Sequence, residues 1–234
     1  MTGKNFKAAT AKIDRQTDYS PEDAIKLVKE TAFAKFDETV EVHIRLGIDP
    51  RHSDQQVRNT VLLPHGLGKT IRVLVFAEGE AARAAEEAGA DIIGDDEVIA
   101  KIQNEAWVGF DVALSTPDMM RKVGRLGKVL GRRGLMPNPK AGTVVEADDI
   151  ARTIEEARAG RIEFRNDKTG NLHVPIGKVS FTPEQLQGNM AALMESLVRN
   201  KPSGAKGTYI RRVVLTSTMG PGIRVDAKAA EIMS

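Results

Sequence analysis

Thr39–Leu46 reads TVEVHIRL, and it alternates without a break: Val40, Val42, Ile44 and Leu46 are apolar, while Thr39, Glu41, His43 and Arg45 are polar. A two-residue period sends each set to its own face of a strand, which predicts an antiparallel sheet with one wet side. Ile71–Ala77, IRVLVFA, obeys a different rule. It is a nearly continuous apolar run, as expected of a strand covered on both faces. Helix patterns at Glu80–Ala88, Asp95–Gln103 and Ala147–Ala159 and short strands at Asp91–Gly94 and Phe110–Leu114 follow it. Strands alternating with helices in this way predict a parallel α/β layer.

After Gly160 the alternating rule returns. Arg161–Asn166 and Asn171–Pro175 are expected strands flanking Asp167-Lys168-Thr169-Gly170, a hairpin turn by composition. Thr182-Pro183-Glu184-Gln185 is a capping box, and it opens a helix whose Leu186, Met190, Leu193, Leu197 and Val198 should face inward. Thr208–Thr218 reads as a long strand running into Met219-Gly220. Residues 1–36 are expected to be helical, with Ser20-Pro21 as a helix start. The economical fold class is an α+β two-layer domain, residues 1–65 plus 161–234, with a Rossmann-like α/β three-layer domain, 66–160, inserted in it. Gly66 and Gly68 mark one crossing and Gly160 the other, so these glycines are the candidate hinge.

Composition narrows the function classes. The absence of Cys removes disulfide frameworks and thiolate metal sites. The first residues, MTGKNFKAATAKID, hold no apolar stretch of the signal-peptide kind, and no run of apolar residues is long enough to span a membrane. The net charge is only +2, but it is segregated. Glu78–Glu105 holds nine acids against Arg83 and Lys101. Arg121–Thr143, RKVGRLGKVLGRRGLMPNPKAGT, holds Arg121, Lys122, Arg125, Lys128, Arg132, Arg133 and Lys140 and no acid. Its glycines are expected to leave the backbone free for positive φ or for close approach by a partner. Such a strip suits a polyanion, or else a solvated surface loop. Arg199–Arg212 repeats the bias.

Catalytic constellations fail one by one. Gly66-Leu67-Gly68-Lys69-Thr70 lacks the upstream glycine of a phosphate loop, since Leu63 stands there, and it precedes a strand rather than a helix. Gly124-Arg125-Leu126-Gly127 matches a GxxG clamp, but without the flanking elements of a KH module. His43, His52, His65 and His173 are scattered, so no metal and no cofactor is expected. Thr216-Ser217-Thr218-Met219-Gly220 groups three hydroxyls, a soft side chain and a turn glycine, a set able to meet ribose and phosphate. Read from residues alone, Met219 equally closes a strand end inside the core, and Phe36 in Lys35-Phe36-Asp37-Glu38-Thr39 equally anchors the chain there.

KFDETVEV at 35–42, VGRLGKVLGRRGLMPNPKAGTV at 123–144, DKTGNLHVPIGK at 167–178 and TSTMGPG at 216–222 together resemble the bacterial-type ribosomal protein L1 family, in order and along the whole chain. The resemblance implies a non-enzymatic, cytoplasmic, ribosome-bound protein of the mobile stalk of the large ribosomal subunit. The implied partners are large-subunit (23S) rRNA, exit-site tRNA and the messenger RNA of the protein's own operon, whose translation it represses. It places the principal RNA surface on Lys35, Phe36, Thr39, Lys168, Thr169, Thr216, Ser217, Thr218, Met219 and Gly220, and leaves the basic strip an auxiliary role. A phosphate- or nucleotide-handling α/β enzyme remains the alternative.

Overall fold

The structure, a computed structural model, describes residues 3–233; Met1, Thr2 and Ser234, which the expected helical start and domain limits take in, lie outside the described residues. The chain divides into two compact units, one running to Gly68 and resuming at Ile162, the other Lys69–Arg161. Each mixes helices and strands.

The first unit begins with α1 (Lys4–Ala11) and α2 (Pro21–Thr31). Ser20 caps α2 by accepting from the Asp23 N–H at 3.1 Å, which satisfies one of the orphan donors of the first turn. β1 (Thr39–Leu46) buries Val40, Val42, Ile44 and Leu46, so its alternation maps directly onto inside and outside. β2 (Arg58–Leu62) follows, and the chain then leaves this unit. Asn189, fully buried, holds that exit: its amide donates to the carbonyls of Gly66 and Ile176 and accepts from the His65 N–H.

The second unit holds β3 (Val73–Phe76), α3 (Glu80–Glu87), β4 (Ile92–Ile93), α4 (Asp96–Glu105), β5 (Val112–Ser115), α5 (Met120–Val123), α6 (Gly127–Leu130) and α7 (Ile150–Ala159). β3 lies between β4 and β5, parallel to both. Val73 and Val75 pack with Ala85, Leu114, Ile150 and Ile154; Leu74 and Phe76 pack with Ile99, Ile102, Val123, Leu126 and Leu130. Both faces of the strand are therefore covered, which is why its sequence is apolar at every position. Each such side chain contributes roughly 1.5–3 kcal/mol by burial.

The basic strip is more regular than a solvated surface loop, and most of its glycines do not use the freedom for positive φ. Its first half is helical: α5 and α6 are joined and followed by 3-10 turns, and Gly124, Gly127 and Gly131 all sit in right-handed helical conformation. Only Gly134 and Gly142 of the strip take positive φ. Val123, Leu126 and Leu130 recur at helical spacing and are fully buried. That burial outweighs the poor helix propensity of glycine, about 1 kcal/mol per residue.

Back in the first unit come β6 (Arg161–Arg165), β7 (Asn171–Lys178), α8 (Pro183–Arg199), β8 (Ile210–Ser217), β9 (Ile223–Val225) and α9 (Ala227–Ile232). The main sheet is antiparallel in the order β7-β1-β8-β9. β6 pairs instead with β2. The expected hairpin across 167–170 is therefore not formed, although the turn exists. Turn residues specify a reversal, not the edge that each strand then joins. The capping box at Thr182 and Gln185 is present, but Val198 is 37 % exposed and so does not face inward. Arg199, the first cation of the second basic stretch, pairs with Glu195 one helical turn back. Gly66, Gly68 and Gly160 take φ of +63°, +65° and +109°; a Cβ at Gly68 would strike the Phe181 ring, and Gly160 caps α7.

Candidate nucleic-acid interface

The first unit gathers a surface patch around one buried carboxylate. Glu38, 1 % exposed, precedes β1; its Oε1 accepts the N–H groups of Phe33 and Ala34 at 2.9 and 2.7 Å, and its Oε2 that of Met219 at 2.9 Å. Burial pushes this carboxyl upward, but the donors from Met219, Ala34 and Phe33 outweigh it and hold it below its ordinary value. Glu38 thus ties the segment after α2 to the turn after β8. Asp37 ties the same segment to Ser180, through its N–H at 3.1 Å and its hydroxyl at 2.7 Å.

On this frame Phe36 and Met219 stand 56 % and 51 % exposed. Two large apolar side chains left exposed on segments that one carboxylate ties together form a candidate contact surface. The Thr39 N–H donates to Thr218 Oγ1 at 2.9 Å, and Lys178 Nζ donates to Thr39 Oγ1 at 2.8 Å. Thr216 Oγ1 bridges to the carbonyls of Ser217 and Gly220 at 3.0 and 3.2 Å. Gly220 is required, because a Cβ there would collide with the buried Ser217 hydroxyl. Hydroxyls and two apolar faces suit a folded ribonucleic acid, whose 2′-hydroxyls and unstacked bases need such partners.

Of the residues expected at this surface, Phe36, Thr39, Thr216, Ser217, Thr218, Met219 and Gly220 meet here, with Ser217 buried beneath the turn. Lys35 is exposed on the segment that Glu38 anchors. Lys168 and Thr169 lie elsewhere. They precede Asn171, which pairs with Arg45 at one end of the sheet, whereas Thr39 pairs with Lys178 at the other. Seven strand steps separate the two ends, roughly 23 Å at about 3.3 Å per residue. There the Asp167 carboxylate accepts from the Thr169 and Asn171 backbone N–H groups, both at 2.8 Å, and from both their side chains. Partial burial acts to raise its pKa, yet these bonds hold it well below the usual carboxylate range.

Glu38 and Lys178 were not singled out from sequence; one acid or lysine beside a strand carries no signal by itself. The scattered histidines are a second correction: β1 and β7 set His43 and His173 side by side, Nδ1 to Nδ1 at 2.8 Å. Among the described residues no group of three potential metal ligands forms.

In the second unit, Arg121, Arg125, Lys128, Arg132, Arg133 and Lys140 are exposed with no carboxylate partner among the described residues, while Lys122 bridges Glu78 and Asp96 at 2.7 and 2.9 Å. Arg121, Arg125, Lys128 and Arg132 follow helical spacing, so they form a ridge opposite the buried Val123, Leu126 and Leu130. The crevice at the carboxyl ends of β3 and β5, where α/β sheets commonly hold nucleotides, is lined by Glu78, Asp118 and Glu146. Its lysine, Lys122, is already neutralised. That is the wrong charge for a phosphate.

The chain is thus built as two mixed α/β units, with an apolar-polar patch exposed on one and a basic ridge on the other. The chain belongs to the Ribosomal protein L1p/L10e family, which it matches over residues 28–221. It is 65 % identical over 229 residues to the large ribosomal subunit protein uL1 of Chloroflexus aurantiacus, covering 98 % of this chain and 97 % of that one. The uL1 protein of Chloroflexus aggregans is also 65 % identical, over the same shares of both chains. That of Dehalococcoides mccartyi is 54 % identical over 231 residues, 99 % of this chain and 97 % of the relative. No helix among the described residues is long and apolar enough to cross a membrane.

Proposed function

We propose that the chain is a structural protein of the large ribosomal subunit, working on the ribosome in the cytoplasm, and that it grips 23S rRNA with the patch organised by Glu38. The observation that carries this reading is the exposure of Phe36 and Met219 on a segment and a turn that share one buried carboxylate. Cations such as Lys35 draw RNA in without regard to sequence; Thr39, Thr218, Met219 and Gly220 discriminate by 2′-hydroxyl bonds and shape. Lys168 and Thr169, at the far end of β7, make a separate backbone contact.

On the same reading the unit Lys69–Arg161 is an inserted Rossmann-like layer. Its ridge of Arg121, Arg125, Lys128 and Arg132, with Arg133 beside it, meets exit-site tRNA in an auxiliary role, as part of a mobile stalk that assists tRNA release. Gly66, Gly68 and Gly160 serve as hinge. A messenger RNA that copies the rRNA target competes for the patch, and the protein thereby represses its own operon.

Met219→Asp tests the core of this. Met219 is half-exposed, so the substitution should leave the thermal melt unchanged while weakening binding to the rRNA segment protected in a footprint on isolated large-subunit rRNA. Undiminished affinity in that titration would remove the patch from the function.

A further inference from the structure

The wet face of the main sheet carries a second set of groups that the Glu38 patch does not use. Arg45, Arg211, Arg212 and Arg224 are exposed, and none has a carboxylate ion pair among the described residues. Arg45 donates to Asn171 Oδ1 at 3.3 Å. The register between β1 and β8 slips beside Arg45, which pairs with Arg212 while Leu46 pairs with Ile210. This bulge leaves Arg211 unpaired, so two consecutive arginines both reach solvent. With His43, His173 and Val214 they line an open concavity of about 450 Å³.

The two histidines meet Nδ1 to Nδ1 at 2.8 Å with their rings 61° apart. That contact requires a hydrogen on one Nδ1 and a lone pair on the other. His43 Nε2 lies 3.8 Å from Glu41, and His173 Nε2 lies 3.5 Å from Asp167. When both rings are neutral, one of these Nε2 atoms turns a lone pair toward a carboxylate. One added proton resolves this: both Nε2–H groups then face acids, and Nδ1–H···Nδ1 is kept. A second would set two N–H groups head-on, so the pair takes up one. The other groups facing it are Arg212, Val214 and Thr216 on β8, Arg224 on β9 and Asn171 on β7.

We propose that this concavity is a second station for the RNA, in which Arg45, Arg211 and Arg212 hold a backbone phosphate over the His43–His173 pair, and that uptake of one proton by the pair tightens the grip. The inference rests on the reading of the chain as an RNA binder. Three arginines that have no carboxylate ion pair among the described residues line the concavity and supply the complementarity, and phosphate contacts position RNA rather than read its sequence. Burial, then His173, holds the His43 imidazole below its ordinary value against the pull of Glu41, in the range where imidazoles change charge near neutral pH.

The test is a titration of the full chain with the footprinted rRNA segment at pH 7.5, 6.5 and 5.5 and constant ionic strength. Affinity should rise roughly three- to tenfold from the first to the last, with a slope no steeper than one proton. His43→Gln combined with His173→Gln should abolish the slope, as should His173→Gln alone, a more exposed site that spares the fold. Arg211→Ala with Arg212→Ala should weaken binding at every pH and shallow the salt dependence. Binding at pH 7.5 with a flat wild-type profile, or a slope that survives in the histidine variants, overturns the second station and leaves the Glu38 patch standing. Absence of binding at pH 7.5 overturns both. A melt at each pH verifies that the variants are folded.

Discussion

Glu38→Gln isolates what the buried carboxylate does. The amide keeps one oxygen, able to serve the Phe33 and Ala34 N–H groups, and sets an NH₂ against the Met219 N–H that Oε2 now accepts. One charge-assisted bond disappears and one N–H is left without a partner, a cost of about 2–3 kcal/mol. For a protein of this length that is a fall of about 4–12 °C in Tm. The turn carrying Met219 and Gly220 is also released, so rRNA affinity should fall on the order of tenfold, equivalent to about 1.4 kcal/mol. The variant should differ in pH response as well. A carboxyl held below its ordinary 4.5 contributes stability that is present above that value and lost as pH falls through the folded value. Glu38→Gln should therefore flatten the acid limb of the stability curve. Melts from pH 7 down to pH 3, beside RNA titrations at pH 7.5, measure both effects. A variant that melts within about 1 °C of the parent and binds RNA equally would refute the assignment of Glu38 as the organiser of the patch.

Gly220→Ala forces a Cβ onto the Ser217 hydroxyl and should cost about 1–3 kcal/mol by denaturant unfolding; adding Ser217→Ala should recover most of that stability, a coupling that a double-mutant cycle reads directly. Arg132→Glu with Arg133→Glu should shallow the log–log salt dependence of RNA or tRNA binding by about 0.7–0.9 for each phosphate that is no longer neutralised, while the melt stays put. Gly127→Ala meets open space, since nothing lies within 4 Å of the new Cβ, and it should stabilise the second unit by about 0.5–1 kcal/mol. If that substitution also weakens polyanion binding, the glycine is there for close approach and not for the fold.

The parts of the fold legible in sequence were those in which burial acts on a single element. TVEVHIRL could only be a strand with one wet face, and IRVLVFA could only be covered on both. The Thr182 capping box depends on neighbours three residues apart and was readable for the same reason. What escaped was set by contacts between distant segments. Gly124, Gly127 and Gly131 favour a loop by propensity; Val123, Leu126 and Leu130, held by a core built elsewhere in the chain, wind them into helix instead. The turn at 167–170 was visible, but the choice of β2 and β1 as partners for its two flanks was not. In the site, the exposure of Phe36 and Met219 could not be separated from burial by composition. Glu38 acquires its role only when Met219, far along the chain, returns to it.

The strand order β7-β1-β8-β9 places β1, translated early, between two partners translated late. The 125 residues that separate Leu46 from Asn171 take about 6–25 s to synthesise at roughly 5–20 residues per second. Throughout that interval β1 has neither neighbour, and the Glu38 carboxylate has no Met219 to accept from. A nascent or prematurely released chain that stops short of the last strands is therefore unable to assemble the patch around Glu38. On the proposed reading only finished molecules present the Glu38 patch to RNA, a safeguard that follows from threading order.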